Sequence, residues 1–513
     1  MENIVSWIYL ECKLCFEERG TKMKRFFSTR GDREAVSAPE AVLRGIAPDG
    51  GLYVRGEFLQ IPLEELRDAD FCALARRILG AFLAGYDAEE ISGCVARAYE
   101  NKFDVPEIVP LRSVGDMHVL ELFHGPTAAF KDVALSILPQ LMGCALQKTG
   151  AQNEIMILTA TSGDTGSAAL TGFADVPGIR ILVFYPDKGI SPIQRAQMTT
   201  MQGENLGVCA ISGNFDDAQT GVKHIFTEIS PDFCRENRVA LSSANSINIG
   251  RLAPQIVYYF SAYLDMVRAG AIAMGDRLNF SVPTGNFGDI LAGCYAREMG
   301  LPVGRLICAS NANNVLTDFL NTGVYDKNRP FLTTISPSMD ILVSSNLERL
   351  LYLALDGDAQ AVRARMEQLK ETGRYTMPEA AMEKIRAGFA GGCATDDEAM
   401  ATIGRVFRET GYLMDPHTAV AWKVAEEYRT GGDRTPCVVL STASPYKFPA
   451  SVLPALGEAV PADAQAQIDR MEALSGTRIP AGLAGVLNRR VRFADVIAPE
   501  EMMAYVQGKA ARA

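Results

Sequence analysis

From about residue 153 onward, short apolar runs alternate with segments whose apolar positions recur at helical spacing. The runs at 154–161, 179–185, 205–211, 239–243, 278–282, 305–309 and 437–441 have the length and β-branched content of buried strands. Between them, 192–201, 216–229, 249–267 and 289–299 read as amphipathic helices, and a shorter helix runs through Ala169. Repeated strand–helix units predict a mostly parallel sheet covered by helices on both faces. The stretch 347–410, rich in Ala, Arg and Glu, predicts several helices and no strand. The first hundred residues mix short strands and helices, as a separate small domain would, and the chain beyond Pro461 reads as a polar tail with one or two helices.

A chain of 513 residues that is 48% hydrophobic can bury a large core, and its length suggests two to four domains. The net charge of −11 argues against a general nucleic-acid or anionic-membrane binder, while leaving room for a local anion pocket. No apolar run reaches the eighteen residues a membrane helix needs, and the run at 4–10 lacks the basic start and cleavage site of a signal peptide. Scattered cysteines with a single CxxC, Cys12 to Cys15, and no nearby histidine fit buried thiols in a reducing cytoplasm. With no HExxH, no metal site is expected.

Three segments could carry chemistry. Pro283-Thr-Gly-Asn-Phe-Gly288 lies between a strand and a helix. Its amides and the helix dipole could cradle a phosphate monoester; equally, it could be a tight turn that binds nothing. It is not a GxxxxGK[ST] loop, so nucleotide triphosphate hydrolysis is not expected. Ser162-Gly-Asp-Thr-Gly166 follows another strand, where α/β sheets place ligands; it suits a carboxylate, or Ser162 or Asp164 simply caps a helix. Lys131 stands in the run Ala128-Ala-Phe-Lys-Asp-Val-Ala-Leu135. Desolvation there would favour the neutral amine of Schiff-base chemistry. The plainer reading is a helix-start lysine paired with Asp132. Lys188, Lys223 and Lys447 are rivals in more polar surroundings or without such a run. Anion-sized turns beside a candidate Schiff-base lysine suggest pyridoxal 5′-phosphate.

Longer motifs narrow this. Phe27-Ser-Thr-Arg-Gly31, Ala47-Pro-Asp-Gly-Gly-Leu-Tyr53, Glu121-Leu-Phe-His-Gly-Pro-Thr-Ala-Ala-Phe-Lys-Asp132, Ala160-Thr-Ser-Gly-Asp-Thr-Gly-Ser167, Asn245-Ser-Ile-Asn248, Val282-Pro-Thr-Gly-Asn-Phe-Gly-Asp289, Ser336-Pro-Ser-Met-Asp-Ile341, Asp415-Pro-His-Thr418 and Thr442-Ala-Ser-Pro-Tyr-Lys-Phe448 occur in that order. Together they resemble the threonine synthase family over about residues 23–460. The resemblance implies an α/β protein of pyridoxal-phosphate fold type II, with parallel-sheet domains, helices on both faces, a small N-terminal domain and a helical insertion. The implied divisions are an N-terminal domain at 23–105, a catalytic core at 106–346 and 411–460, the insertion at 347–410 and a helical tail at 461–513. Residues 1–22 have no counterpart and are read as a misassigned start or a small extension.

By the same resemblance, Lys131 is the Schiff-base lysine, Gly285, Asn286, Phe287 and Gly288 the cofactor-phosphate loop, and Thr442 the hydroxyl facing the pyridine nitrogen. Ser162, Asp164 and Thr165 would meet the substrate carboxylate and the ring. Asn245, Ser246, Asn248 and Arg251 are offered for the substrate phosphate; a guanidinium suits it bidentately, although Arg251 could also be a surface arginine. Ser444 and Tyr446 depart from the family's pattern, so the packing behind Thr442 is expected to differ while the ring contact survives. The implied reaction converts O-phospho-L-homoserine and water to L-threonine and phosphate in a cytoplasmic monomer or homodimer. The alternatives are a phospholyase or a serine/threonine dehydratase on the same scaffold, or, in another class, a non-catalytic cofactor-binding protein.

Overall fold

The computed structural model describes residues 25–511, Arg33 excepted. The early apolar run, the CxxC and the 1–22 segment lie outside the described residues. Two parallel sheets organise the molecule. The six-stranded sheet has the order β13 (Phe389–Cys393), β10 (Val303–Ser310), β9 (Leu278–Pro283), β14 (Cys437–Ser441), β4 (Met117–Glu121), β3 (Leu111–Val114). All its pairs are parallel except the β3–β4 hairpin, closed by the Gly115-Asp116 turn. The second sheet is parallel throughout, in the order β15 (Val496–Ile497), β7 (Leu206–Ile211), β6 (Ile179–Pro186), β5 (Glu154–Ala160), β8 (Val239–Ser242). Strands β7, β9 and β14 are buried at every position, as strands covered on both faces must be. Two small antiparallel pairs complete the count: β1 (Phe26–Ser28) with β2 (Tyr53–Arg55), and β11 (Val324–Asp326) with β12 (Arg374–Thr376).

The helix Lys131–Thr149 packs against Asp164–Phe173 of the second sheet's layer and against Ala38–Arg44 and Ala88–Tyr99 of the N-terminal region. It therefore joins two parts of the fold, and its first residue is Lys131.

Three expectations need correction. The 347–410 stretch is not strandless: it holds β12 and β13, and β13 extends the main sheet beside β10. The strand Phe389-Ala-Gly-Gly-Cys393 lacks β-branched residues and so escapes a reading by propensity. Its glycines serve packing: a Cβ on Gly392 would lie 2.5 Å from Val424 Cγ1. The tail beyond Pro461 is more than polar covering, because β15 adds a strand to the second sheet and Met502, Val506 and Ala510 are buried against it. The helix expected over 249–267 is two, Ile249–Leu252 and Gln255–Arg268, broken at Pro254, which has no N–H to continue the ladder.

Candidate active site

The C-terminal ends of the parallel strands face a common crevice, where α/β sheets bind ligands. A cavity of about 80 Å³ lies there, lined by Phe130, Lys131, Thr165, Arg251, Asp289 and Thr442 among others. Two larger grooves open on the surface, one beside Glu90 and Gln140 and one beside Arg405 and Arg434; neither contains any of these residues.

Lys131 is set by backbone. The Phe130 amide donates to the Thr442 carbonyl at 2.8 Å, the Ser444 amide to the Ala128 carbonyl at 3.1 Å, and Ala129 bridges Ala443. The end of β14 thus fixes the start of the Lys131–Thr149 helix and brings Thr442 to the same cavity. Lys131 does not pair with Asp132. That carboxylate accepts from the Thr127 amide at 2.8 Å and hydroxyl at 2.6 Å, closing the turn before the helix. Lys131 Nζ instead lies 3.5 Å from Asp164 Oδ2, 3.5 Å from Ser338 Oγ and 4.5 Å from the centre of the Phe130 ring.

The loop Thr284–Gly288 is shaped by crowding. A Cβ on Gly285 would sit 2.6 Å from the Ser338 carbonyl oxygen, and one on Gly288 would sit 3.0 Å from Ser246 Cβ. Phe287 adopts φ 62°, a left-handed conformation uncommon for a bulky residue and of order 1–3 kcal/mol in cost. Its ring, 1% exposed, stacks on Phe389 of β13 at 5.7 Å. The Asn286 carbonyl accepts from the Asn346 amide and side chain, at 3.1 and 3.0 Å. Held this way, the loop opens the helix Gly288–Glu298, whose first-turn amides have no partner within the helix. Such a start suits a phosphate.

Charge is concentrated here. Burial would raise the Asp164 carboxyl, but Lys447 and Lys131 outweigh it and hold it well below the usual carboxylate range. Burial pushes the Lys131 ammonium down, against the pull of Asp164, with Arg251 and Lys447 pushing the same way as burial. Burial likewise lowers Arg251 to about 10. The Asp289 carboxyl rises by burial to about 6, even though Tyr258 and Tyr259 donate to its Oδ1. Arg251 Nε and Asp289 Oδ2 are buried with no hydrogen-bond partner. Both residues line the cavity, so an incoming polar group would satisfy them.

Of the residues singled out in the sequence, Lys131, Thr165, Asn245, Ser246, Arg251, Gly285, Asn286, Phe287, Gly288 and Thr442 line this one cavity. Asn248 does not join them: its amide donates to the Val42 and Ser243 carbonyls, and its oxygen caps the Gly250 amide. Arg251 is no surface arginine, being 3% exposed. Ser162 lies outside the lining, and Asp164 stands behind Lys131. Ser338, His417, Asp289 and Gln255 also line the cavity without having been assigned a role. Three of them lie in the motifs Val282–Asp289, Ser336–Ile341 and Asp415–Thr418, which are the available signal. His417 Nε2 accepts from the Ser338 amide at 3.2 Å while Nδ1 faces Asp415 at 2.6 Å, so the ring proton sits on Nδ1. Lys447, one of the rival lysines, is wholly buried, with its Nζ 2.8 Å from Asp164 Oδ1, and does not line the cavity. Tyr446 turns its hydroxyl to the Thr477 carbonyl at 2.8 Å, so the altered packing ties the C-terminal segment to the end of β14.

Comparison with known proteins bears on this geometry. The family model described as Threonine synthase N terminus matches residues 25–99, Pyridoxal-phosphate dependent enzyme matches 114–442, and Threonine synthase, C-terminal matches 418–506. Threonine synthase of Pseudomonas aeruginosa is 41% identical over 432 residues, covering 83% of this chain and 89% of that protein. The chain belongs to the threonine synthase family. It is also 40% identical over 435 residues to human threonine synthase-like 1, covering 81% of this chain but only 58% of that longer relative. A PLP-bound threonine synthase from Brucella melitensis superposes with a TM-score of 0.83 at 39% identity, covering 95% of this chain and all of that one. The yeast threonine synthase does so at 0.84 and 31%, covering 95% and 98%. The fold is therefore that of the pyridoxal-phosphate-dependent family, with the N-terminal domain the motifs implied, and pyridoxal phosphate is its cofactor. The glycine loop and the buried lysine fit that group.

Proposed function

We propose that this protein converts O-phospho-L-homoserine and water to L-threonine and inorganic phosphate. The observation that carries the reading is a single cavity combining a buried lysine, a glycine-rich helix start and a buried arginine with a free N–H. Two anion sites are what a phosphorylated cofactor and a phosphorylated substrate require. The amides of 285–288 would hold the cofactor phosphate, Thr442 would face the ring nitrogen, and Lys131 would bear the carbonyl carbon. When bound, pyridoxal phosphate supplies a conjugated ring that takes up negative charge developing on the substrate.

The chain's own residues do the rest. The Lys131 Nζ amine, released from the cofactor, accepts the Cα proton, hands it on within the site, and as a free amine again accepts a Cβ proton. One base on a short tether serves both, because the two carbons are adjacent. Arg251, with Asn245 and Ser246, holds the substrate phosphate so that it departs from Cγ under a positive charge. Thr165 reaches the carboxylate end, which leaves the charged Asp164 to the lysines. The two protons taken from Cα and Cβ are returned by Lys131 Nζ, one to Cγ once phosphate has left and one to Cα, while water adds its hydroxyl at Cβ and its other proton goes to the departing phosphate.

Nine free cysteines among the described residues accord with a reducing cytoplasm. Among those residues no helix is long and apolar enough to cross a membrane. The test is to give purified holoenzyme phosphohomoserine and quantify phosphate, threonine and 2-oxobutyrate together. Equal phosphate and threonine support the assignment. Phosphate accompanied by 2-oxobutyrate moves it to a phospholyase, and no product rejects it.

A further inference from the structure

Lys447 has no part in the reaction just described, yet it is the most deeply buried charge near Lys131. It is wholly buried in the short turn after β14. Its Nζ donates to the Thr127 carbonyl at 2.8 Å and pairs with Asp164 Oδ1 at 2.8 Å. Gln194 Nε2 donates to that same oxygen at 2.8 Å. The other oxygen, Oδ2, faces Lys131 Nζ and Ser338 Oγ, both at the looser distance of 3.5 Å. The carboxylate is thus divided: one oxygen is fully engaged by a cation that never meets the cavity, and the other is turned to the cation that does.

Two ammonium groups around one buried carboxylate leave a surplus positive charge in a low-dielectric site, which is relieved when one lysine loses its proton. Lys447 has two short acceptors, whereas Lys131 has only longer contacts and borders the cavity. Lys131 is therefore the one to release it. We propose that Lys447, acting through Asp164, is a positioning residue: it saturates Asp164 so that Lys131 stands as a free amine turned to the cavity rather than as that carboxylate's ion-pair partner. The proposal rests on Lys131 being the cofactor-bearing lysine. The charged groups facing Lys131 are Asp164, Lys447, Arg251 and Asp289, from four separate elements; His417 reaches it only through the Ser338 backbone.

The test uses holoenzyme and three variants: Lys447→Met, Asp164→Asn and the double substitution. Two quantities are read against pH: the cofactor's visible absorbance band and kcat/KM. Cofactor dissociation is measured separately by dialysis and absorbance. In Lys447→Met, Asp164 is left with Lys131 as its sole cation. The acid limb of both profiles then moves up by about one pH unit or more, and cofactor binding weakens roughly tenfold. Asp164→Asn shifts the limb the other way. The double variant, with both charges gone, returns toward the parent. A limb that stays put or moves down in Lys447→Met, or a double variant whose limb stays where Lys447→Met puts it, overturns the proposal and makes Lys447 a packing residue. If Lys447→Met does not fold, Lys447→Gln is read in the same way: an upward move of the limb upholds the proposal, and a downward or absent move refutes it. A Lys131→Ala protein that keeps the parent's absorbance band and turnover removes the premise itself, an outcome distinguishable from all of these.

Discussion

Gly285→Ala separates a built cradle from an ordinary turn. The added methyl would lie 2.6 Å from the Ser338 carbonyl oxygen and 3.4 Å from Met339 Cα, both backbone atoms without a rotamer to yield. Relief requires the 336–339 segment or the glycine loop to move by about half an ångström or more, which overpacking data put at ~1–3 kcal/mol. Ser338 Oγ contacts Lys131 Nζ, so the displacement falls on both sides of the cavity. If the loop holds the cofactor phosphate, that strain opposes binding, and affinity falls roughly 5- to 150-fold. The assay is titration of the variant apoprotein with pyridoxal phosphate, followed by visible absorbance, alongside a thermal melt. Gly143→Ala is the control: it lies inside the helix Lys131–Thr149 with nothing within 4 Å of the new methyl. It should leave affinity unchanged and stabilise by ~0.5–1 kcal/mol through helix propensity. A Gly285→Ala protein that binds within twofold of the parent would refute the role given to the loop.

Other outcomes follow from single contacts. Arg251→Met should raise KM for phosphohomoserine by roughly tenfold or more and weaken inhibition by inorganic phosphate, because it removes the buried guanidinium beside Asn245 and Ser246; unchanged phosphate inhibition would exclude it as the phosphate ligand. Asp289 has a folded pKa of about 6 against an ordinary value of 3.8, so its contribution to stability is complete below pH 3.8 and is lost as pH rises to about 6. Asp289→Asn should abolish that part of the pH dependence, roughly 3 kcal/mol at most, in denaturant melts across this window; identical slopes for parent and variant would count against it. Tyr446→Phe should lower stability by ~0.5–1.5 kcal/mol through the lost bond to Thr477, with cofactor affinity unchanged; a drop in affinity would mean the contact also governs Thr442.

The chemistry of the site was legible where it is local. The strand–glycine–helix unit at 278–299, the turn after β5 and the apolar run around Lys131 each carry their signal within about two dozen residues, and the structure gathers them at one crevice. What escaped depends on contacts distant in the chain. Lys447 sits among ordinary neighbours in sequence, and its burial arises from Thr127 and Asp164, about 320 and 280 residues away. Asn248 lies between cavity residues in sequence, yet its amide serves the Val42 carbonyl, a contact that only the N-terminal domain's docking creates. β13 was hidden because its glycines are there for close packing against Val424 rather than for strand propensity. Its Phe389 then supports Phe287 of the glycine loop, so a segment read as a helical insertion helps to shape the site.

The central claim is that Lys131, at the junction of the two sheets, bears the cofactor. Reduction of the holoenzyme with borohydride, proteolysis and mass spectrometry of the modified peptide test it directly. The account predicts one pyridoxyl-modified lysine per chain, at Lys131, and none in the Lys131→Ala protein. Modification at Lys447, Lys188 or Lys223 in the parent enzyme would contradict it.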